Sequence, residues 1–159
     1  MEPLASASPS DNHLDQEFLT QITNYGFIIE RTTKRIRQNL QRRFNAHHFG
    51  VTVDQWVVLD CIRQCPGISQ NEIADRTFKD APTVTRIIDQ LCKKGLTIRL
   101  VDENDRRRFI IQLTAKGQKK VNQMLPVVIQ MRKEGWKGLD LADYQRLMHI
   151  METIFNNLN

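Results

Sequence analysis

The sequence predicts a mainly α-helical chain with one small β-hairpin, and three observations lead there. Apolar residues recur at helical spacing over most of the 159 residues. Side-chain capping signatures punctuate the chain at Thr52, Ser69, Asp80, Thr114 and Asp140. The period changes to that of extended strands only between Thr97 and Leu113. A composition of 40% apolar and 26% charged residues, with 7 Gly and 5 Pro, fits one globular core with helical arms.

Each element follows from local residues. Residues 1–12, MEPLASASPSDN, have neither the positive start nor the apolar stretch of a secretory signal and are expected to form a disordered tail. From Leu14 to about His48, the positions Leu14, Phe18, Ile22, Tyr25, Ile29, Ile36, Leu40 and Phe44 mark one long amphipathic helix. Thr52 with Gln55 forms a capping box for a second helix, which ends at Cys65-Pro66-Gly67. Ser69 with Glu72 repeats the box and opens a short third helix through Ile73 and Ala74. Asp80-Ala81-Pro82 starts a fourth, from Ala81 to about Lys94, and Gly95 stops it. Residues 97–101 and 108–113 then read as paired strands around the polar turn Asp102–Arg107. Thr114 caps a fifth helix, which Pro126 bends or restarts. Asp140 caps a sixth, whose residues Leu141, Tyr144, Met148, Met151, Phe155 and Leu158 form a heptad-type seam widened by Leu147 and Ile154. Such a helix wants a partner helix.

Charge is segregated along the chain. Residues 1–30 hold five acids and no Lys or Arg, residues 31–50 hold six bases and no acid, and residues 76–120 hold twelve bases against five acids. A basic middle points to a polyanion partner. Two capped helices joined by a tight turn and followed by a hairpin with a basic tip describe a winged helix-turn-helix. The domain reading is therefore a dimerisation helix over 13–48, a winged helix-turn-helix DNA-binding domain over 49–115, and C-terminal dimerisation helices over 116–159.

These residues carry a family resemblance. The stretch from Asp80 to Leu96, DAPTVTRIIDQLCKKGL, resembles the recognition helix of the MarR family of bacterial winged-helix transcription regulators. Asp105-Arg106-Arg107-Arg108, followed by Leu113-Thr114-Ala115-Lys116-Gly117, is similar to that family's Asp-x-Arg wing and its Leu-Thr-x-x-Gly start of the next helix. The resemblance runs from about Leu14 to the C-terminus. It implies a homodimer whose first and last two helices form the interface, with the winged domains gripping duplex DNA. It further implies that Asp105 orients Arg107 into the minor groove, where narrow A·T-rich tracts attract a guanidinium. Members often bind small aromatic or acidic effectors between the dimer helices and the winged domain, which makes such an effector a candidate partner.

The fourth helix supports the same reading on its own residues. Val84, Ile87, Ile88 and Leu91 share a face that must be buried, and Pro82, Arg86, Asp89 and Lys93 share the opposite one. Arg86 is placed to read guanine O6 and N7 in the major groove, with Thr83 and Thr85 able to reach a phosphate or a thymine methyl. The competing reading of Arg86 is a solvated arginine beside Asp89 or Gln90. Ser69 and Gln70 could meet a phosphate, although capping explains Ser69 equally well. Arg106 adds to the basic tip. The dimer candidates are Leu14, Phe18 and Ile22 with Leu141, Tyr144, Met148, Met151, Phe155 and Leu158. The run Arg31–Arg43 spreads around its helix and reads mainly as solvated; an ion pair with another helix or the rim of an anion pocket stays open.

No phosphate loop, zinc-protease motif or activated nucleophile appears, so an enzyme is not expected, nor a cofactor or metal. The three cysteines read as reduced thiols. Cys61 and Cys65 have a chelating spacing but continue the buried stripe from Trp56 to Leu59, so core packing is preferred. The long first helix has no cysteine, a departure from the family branch that senses peroxide there and an argument against that chemistry, and His47-His48 reads as a helix terminus. The longest apolar run, Trp56–Leu59, is far below the roughly 20 residues of a membrane span, and a cytoplasmic location is expected. The sequence thus predicts a dimeric, sequence-specific DNA-binding transcription regulator, a repressor released by a small ligand and bound to a near-palindromic operator. A redox- or metal-responsive regulator, or a winged-helix protein-interaction module without DNA binding, are the alternatives.

Overall fold

The computed structural model describes residues 16–103, 105 and 108–158, with side chains from residue 18. The expected tail over 1–12, Leu14, and the wing residues Arg106 and Arg107 lie outside the described residues. The elements are α1 (Gln16–Gln21), a 3-10 turn (Ile22–Asn24), α2 (Tyr25–Ala46), α3 (Val53–Gln64), β1 (Ile68–Ser69), α4 (Gln70–Thr77), α5 (Ala81–Lys93), β2 (Thr97–Val101), β3 (Phe109–Leu113), α6 (Ala115–Gly135) and α7 (Leu141–Asn157). None of the described helices is long and apolar enough to cross a membrane.

The single long first helix is corrected to two helices joined by a tightened turn. The physical cause is local: the Thr23 hydroxyl donates to the Thr20 carbonyl at 3.1 Å, and Asn24 and Gly26 are weak helix formers beside it. Helix α2 ends where His48 takes a left-handed φ of 53° and Gly50 one of 66°. Packing divides the chain into two compact units, residues to Arg37 and residues from Gln38. In the first, Phe18, Tyr25, Phe27, Ile28 and Ile36 are exposed.

The second unit holds the core. Leu40 and Phe44, the last apolar residues of α2, are buried in it, and Phe44 meets Phe49 and Trp56 edge-on with ring centroids at 5.8 and 6.1 Å. Val58, Leu59 and Ile62 of α3, Ile73 of α4, Val84, Ile88 and Leu91 of α5, Ile111 of β3, and Val121, Met124 and Val128 of α6 complete it. Both sequence-predicted capping boxes form, Thr52 with Gln55 and Ser69 with Glu72, and Asp140 makes a third with Asp143.

The sheet has three strands in the order β1-β3-β2, one more than the expected hairpin. Strand β1 pairs antiparallel with β3 through Ile68↔Ile111 and Ser69↔Ile110. Two residues are too short to show a period in sequence. The hairpin runs in register from Thr97↔Leu113 to Val101↔Phe109. Its second strand begins at Phe109, one residue later than expected, because Arg108 closes the turn: its N–H donates to the Asp105 carbonyl and its carbonyl accepts from Asp102, both at 2.9 Å. The Leu113–Gly117 motif has a steric origin. Thr114 caps α6 and donates its hydroxyl to the Gly95 carbonyl at 2.6 Å, while a Cβ on Gly117 would stand 1.9 Å from the Leu96 carbonyl oxygen. Only glycine lets α6 lie this close to the start of β2. Pro126 sits inside α6, which continues as one helix past it.

Candidate nucleic-acid interface

Helices α4 and α5 and the hairpin after them set out the expected reading surface. Asp80 is the N-cap of α5: its carboxylate accepts from the Thr83 N–H and the Thr83 hydroxyl, both at 2.8 Å. These bonds hold the carboxyl below its ordinary range. Pro82 follows in the first turn, exposed. The buried face is the expected one, with Val84, Ile88 and Leu91 fully inaccessible and Ile87 nearly so.

The opposite face is where partner choice matters. Asp89, a candidate neighbour of Arg86, instead pairs with Arg99 of β2 at 2.6 Å. Gln90, the other candidate, accepts from the Gln55 amide at 2.8 Å. Arg86 is exposed, and among the described residues its guanidinium has neither an ion-pair nor a hydrogen-bond partner. Lys93 is likewise exposed on this helix. A single row of side-chain bonds ties the face to the sheet: the Gln70 amide donates to the Thr85 hydroxyl, Arg99 donates to the Gln70 carbonyl oxygen at 3.4 Å, and Arg99 continues to Asp89. The Thr85 hydroxyl itself donates to the Ala81 carbonyl at 2.9 Å. Both threonine hydroxyl protons are therefore engaged locally, and the Thr85 oxygen also accepts from Gln70, which leaves chiefly their methyls for a ligand. Gln70 acts here as a brace between α4 and α5.

Ser69 is only 8% exposed, and its hydroxyl is bonded to Glu72. Capping accounts for it, and its side chain is not presented to a phosphate. Glu72 in turn accepts from the Ser69 hydroxyl and N–H and from Arg108 at the wing base, and these bonds lower its carboxyl from 4.5 to about 2. This wing-to-α4 pair was not legible in the sequence, since nothing in the spacing of residues 72 and 108 signals contact. Asp105 is exposed at the turn.

The dimer candidates divide in the same plain way. Leu141, Tyr144, Leu147, Met148, Phe155 and Leu158 are exposed on α7, with Met151 and Ile154 half-buried. Within the chain, Tyr144 meets Trp136 edge-on at 5.6 Å and Phe155 meets Phe78 at 6.0 Å. Phe18 is exposed and Ile22 half-buried in the 3-10 turn. In the basic run, Arg43 forms an ion pair with Glu134 of α6 and donates to Asn39 at 2.7 Å, while Arg31, Lys34, Arg35 and Arg42 are exposed. The Arg43 guanidinium, with the Gln130 amide, holds the Glu134 carboxyl below its ordinary range.

A capped helix with an exposed central arginine, braced to a three-stranded sheet that contains the hairpin, is the arrangement of a winged-helix DNA-binding protein. Residues 51–109 match the MarR family, the family that the sequence resembles. The HTH-type transcriptional repressor IacR of Pseudomonas putida is 26% identical over 132 residues, which cover 83% of this chain and 78% of that one. A cysteine-to-serine mutant of MarR from E. coli, solved in complex with operator DNA, superposes with a TM-score of 0.75 at 24% identity, covering 91% of this chain and 99% of that one. CouR from Rhodococcus jostii RHA1, solved with p-coumaroyl-CoA bound, gives a TM-score of 0.75 at 20% identity over 83% of this chain and 92% of that one. At these identities the two structures fix the fold.

Proposed function

We propose that the chain is a homodimeric, sequence-specific DNA-binding regulator that represses transcription and is released by a small ligand. The observation that carries this reading is the Arg86 guanidinium: Asp89 and Gln90 are committed elsewhere and Asp80 acts on it only through the electrostatic field, so α5 offers a centrally placed cation with no ion-pair or hydrogen-bond partner among the described residues. A helix of this width fits the major groove, and a guanidinium there donates two bonds to guanine. In this reading Pro82, Thr83 and Thr85 contact the groove wall, with Gln70 holding Thr85 in place, and Lys93 meets backbone phosphate. Asp105 with Arg106 and Arg107 brings the wing to the adjacent minor groove. The exposed seam of α7, with Phe18 and Ile22, supplies the dimer contact, and the two-fold axis then dictates a near-palindromic operator with half-sites about one DNA turn, ~10 bp, apart. The operator in that complex with E. coli MarR supports the same use of the fold here, and the ligand in CouR supports release by a small molecule. The chain belongs in the cytoplasm on this account, and performs no catalysis.

The experiment is a gel shift with fragments spanning the chain's own promoter region against random duplex in excess. A discrete shifted band that survives competitor is expected, and its half-site spacing should follow the dimer axis. Binding that random duplex competes away at equal mass would remove sequence-specific regulation from the account and leave the winged fold as a protein-interaction module.

A further inference from the structure

A cavity of about 340 Å³ lies between α3, the C-terminal end of α4 and α6. Its wall includes Cys61 and Cys65, one helical turn apart at the end of α3, with Arg76 of α4 and Arg132 of α6. The cysteines are therefore not fully enclosed core residues: each is partly accessible, packed on the core from its edge. Neither sulfur hydrogen-bonds to a described residue, whereas the third thiol, Cys92, stands 3.4 Å from the Thr97 hydroxyl in another part of the fold.

We propose that Cys61 and Cys65 form a two-coordinate site for a thiophilic monovalent cation of the Cu(I) class. The donor set selects this chemistry. Among the described residues no group of three or more His, Cys, Asp or Glu side chains is placed to hold a metal, so a tetrahedral zinc site has too few ligands here. The carboxylate in the cavity wall, Asp60, is already bound by Arg63 at 2.8 Å and by the Gln64 amide at 2.8 Å. Two thiolates remain, and soft thiolate pairs favour Cu(I). Side chains four apart on a helix lie about 5–6 Å from each other at Cβ. A linear ion bridges sulfurs twice a metal–thiolate bond of ~2.3 Å apart, which that spacing allows.

Charge supports the assignment independently. On binding, two S–H bonds break, two S–Cu bonds form, two protons pass to solvent, and no electron is transferred. The bis-thiolate complex carries one negative charge. Arg76 and Arg132 have no ion-pair or hydrogen-bond partner among the described residues, so the cavity holds uncommitted cations beside the developing anion. Cys65 is also the C-cap of α3, immediately before the turn into β1 and α4. An ion held there would stiffen the lead into the helix-turn-helix. The metal site itself stands whether or not the DNA-binding reading does.

The test is anaerobic titration of the full-length chain with Cu(I) against bicinchoninate, followed by the thiolate-to-copper absorption. One Cu(I) per chain is expected. Cys61→Ser and Cys65→Ser should each weaken binding by about 100-fold or more, Arg76→Gln by about 10-fold, and Cys92→Ser not at all. Wild-type chain provides a check that needs no variant: Ag(I) should protect Cys61 and Cys65, but not Cys92, from alkylation read by mass spectrometry. The proposal is overturned by a wild-type chain that cannot compete with the chelator, by serine variants that bind as tightly as wild type, or by protection that falls on Cys92.

Discussion

Helices α5 and α7 are built on similar amphipathic patterns and meet different fates. The apolar stripe of α5 is covered by its own chain, with Val84, Ile88 and Leu91 wholly enclosed against α3, α4 and β2. The stripe of α7 is as apolar, yet Leu141 keeps 69% of its surface and Phe155 53%. Periodicity states that a stripe will be covered; it does not state by which molecule. For α5 the cover is the winged core, and the helix is left with a polar outer face that can read a groove. For α7 the chain supplies little cover, and the cover proposed above is a second copy of the chain. On that proposal, one pattern serves stability within a chain in the first case and assembly between chains in the second.

The two stripes should break differently. Ile88→Ala removes a fully buried side chain from the winged core and should cost about 2–5 kcal/mol in denaturant unfolding, a loss that does not vary with protein concentration. The double change Leu147→Asp with Met148→Asp places charge on the exposed stripe of α7. It should leave the helical signal of the winged unit intact while converting the dimer to monomer in sedimentation, with operator affinity falling accordingly. If the double variant remains a dimer at micromolar concentration, α7 is not the seam.

A smaller effect sharpens the contrast between a cross-linked core and an uncovered helix. Glu72 ties α4 to the wing base through Arg108, and its folded carboxyl is lowered from 4.5 to about 2. Because the folded value is depressed, the stabilisation is complete above pH 4.5 and is lost as the pH falls toward 2. The thermal midpoint of wild type should therefore drop across that window more steeply than that of Glu72→Gln. Parallel acid profiles for the two proteins would show that Glu72 does not carry this linkage.

Much of this was legible in sequence because it is local. A Thr or Ser three residues before a Gln or Glu can be read without coordinates, and Thr52 and Ser69 cap as expected. Gly117 was visible as a motif, although its cause, the Leu96 carbonyl against α6, was not. What stayed hidden depended on contacts across the chain. Strand β1 exists only because β3 pairs with it. The free state of Arg86 follows from Asp89 turning to Arg99 and Gln90 to Gln55, neither of which the spacing along α5 can show. The tightened turn at Ile22–Asn24 leaves no mark in the pattern because the apolar period continues through it, while the threonine and glycine around it weaken the helix.

Arg86→Ala tests the central claim most directly. Equilibrium titrations of wild type and variant on the operator and on random duplex, across a salt series, separate reading from backbone attraction. The variant should lose roughly 1–3 kcal/mol on the operator and far less on random duplex, with an almost unchanged stability because the side chain is exposed. An operator-to-random ratio equal to that of wild type would contradict the account, since α5 would then not be the helix that reads the DNA.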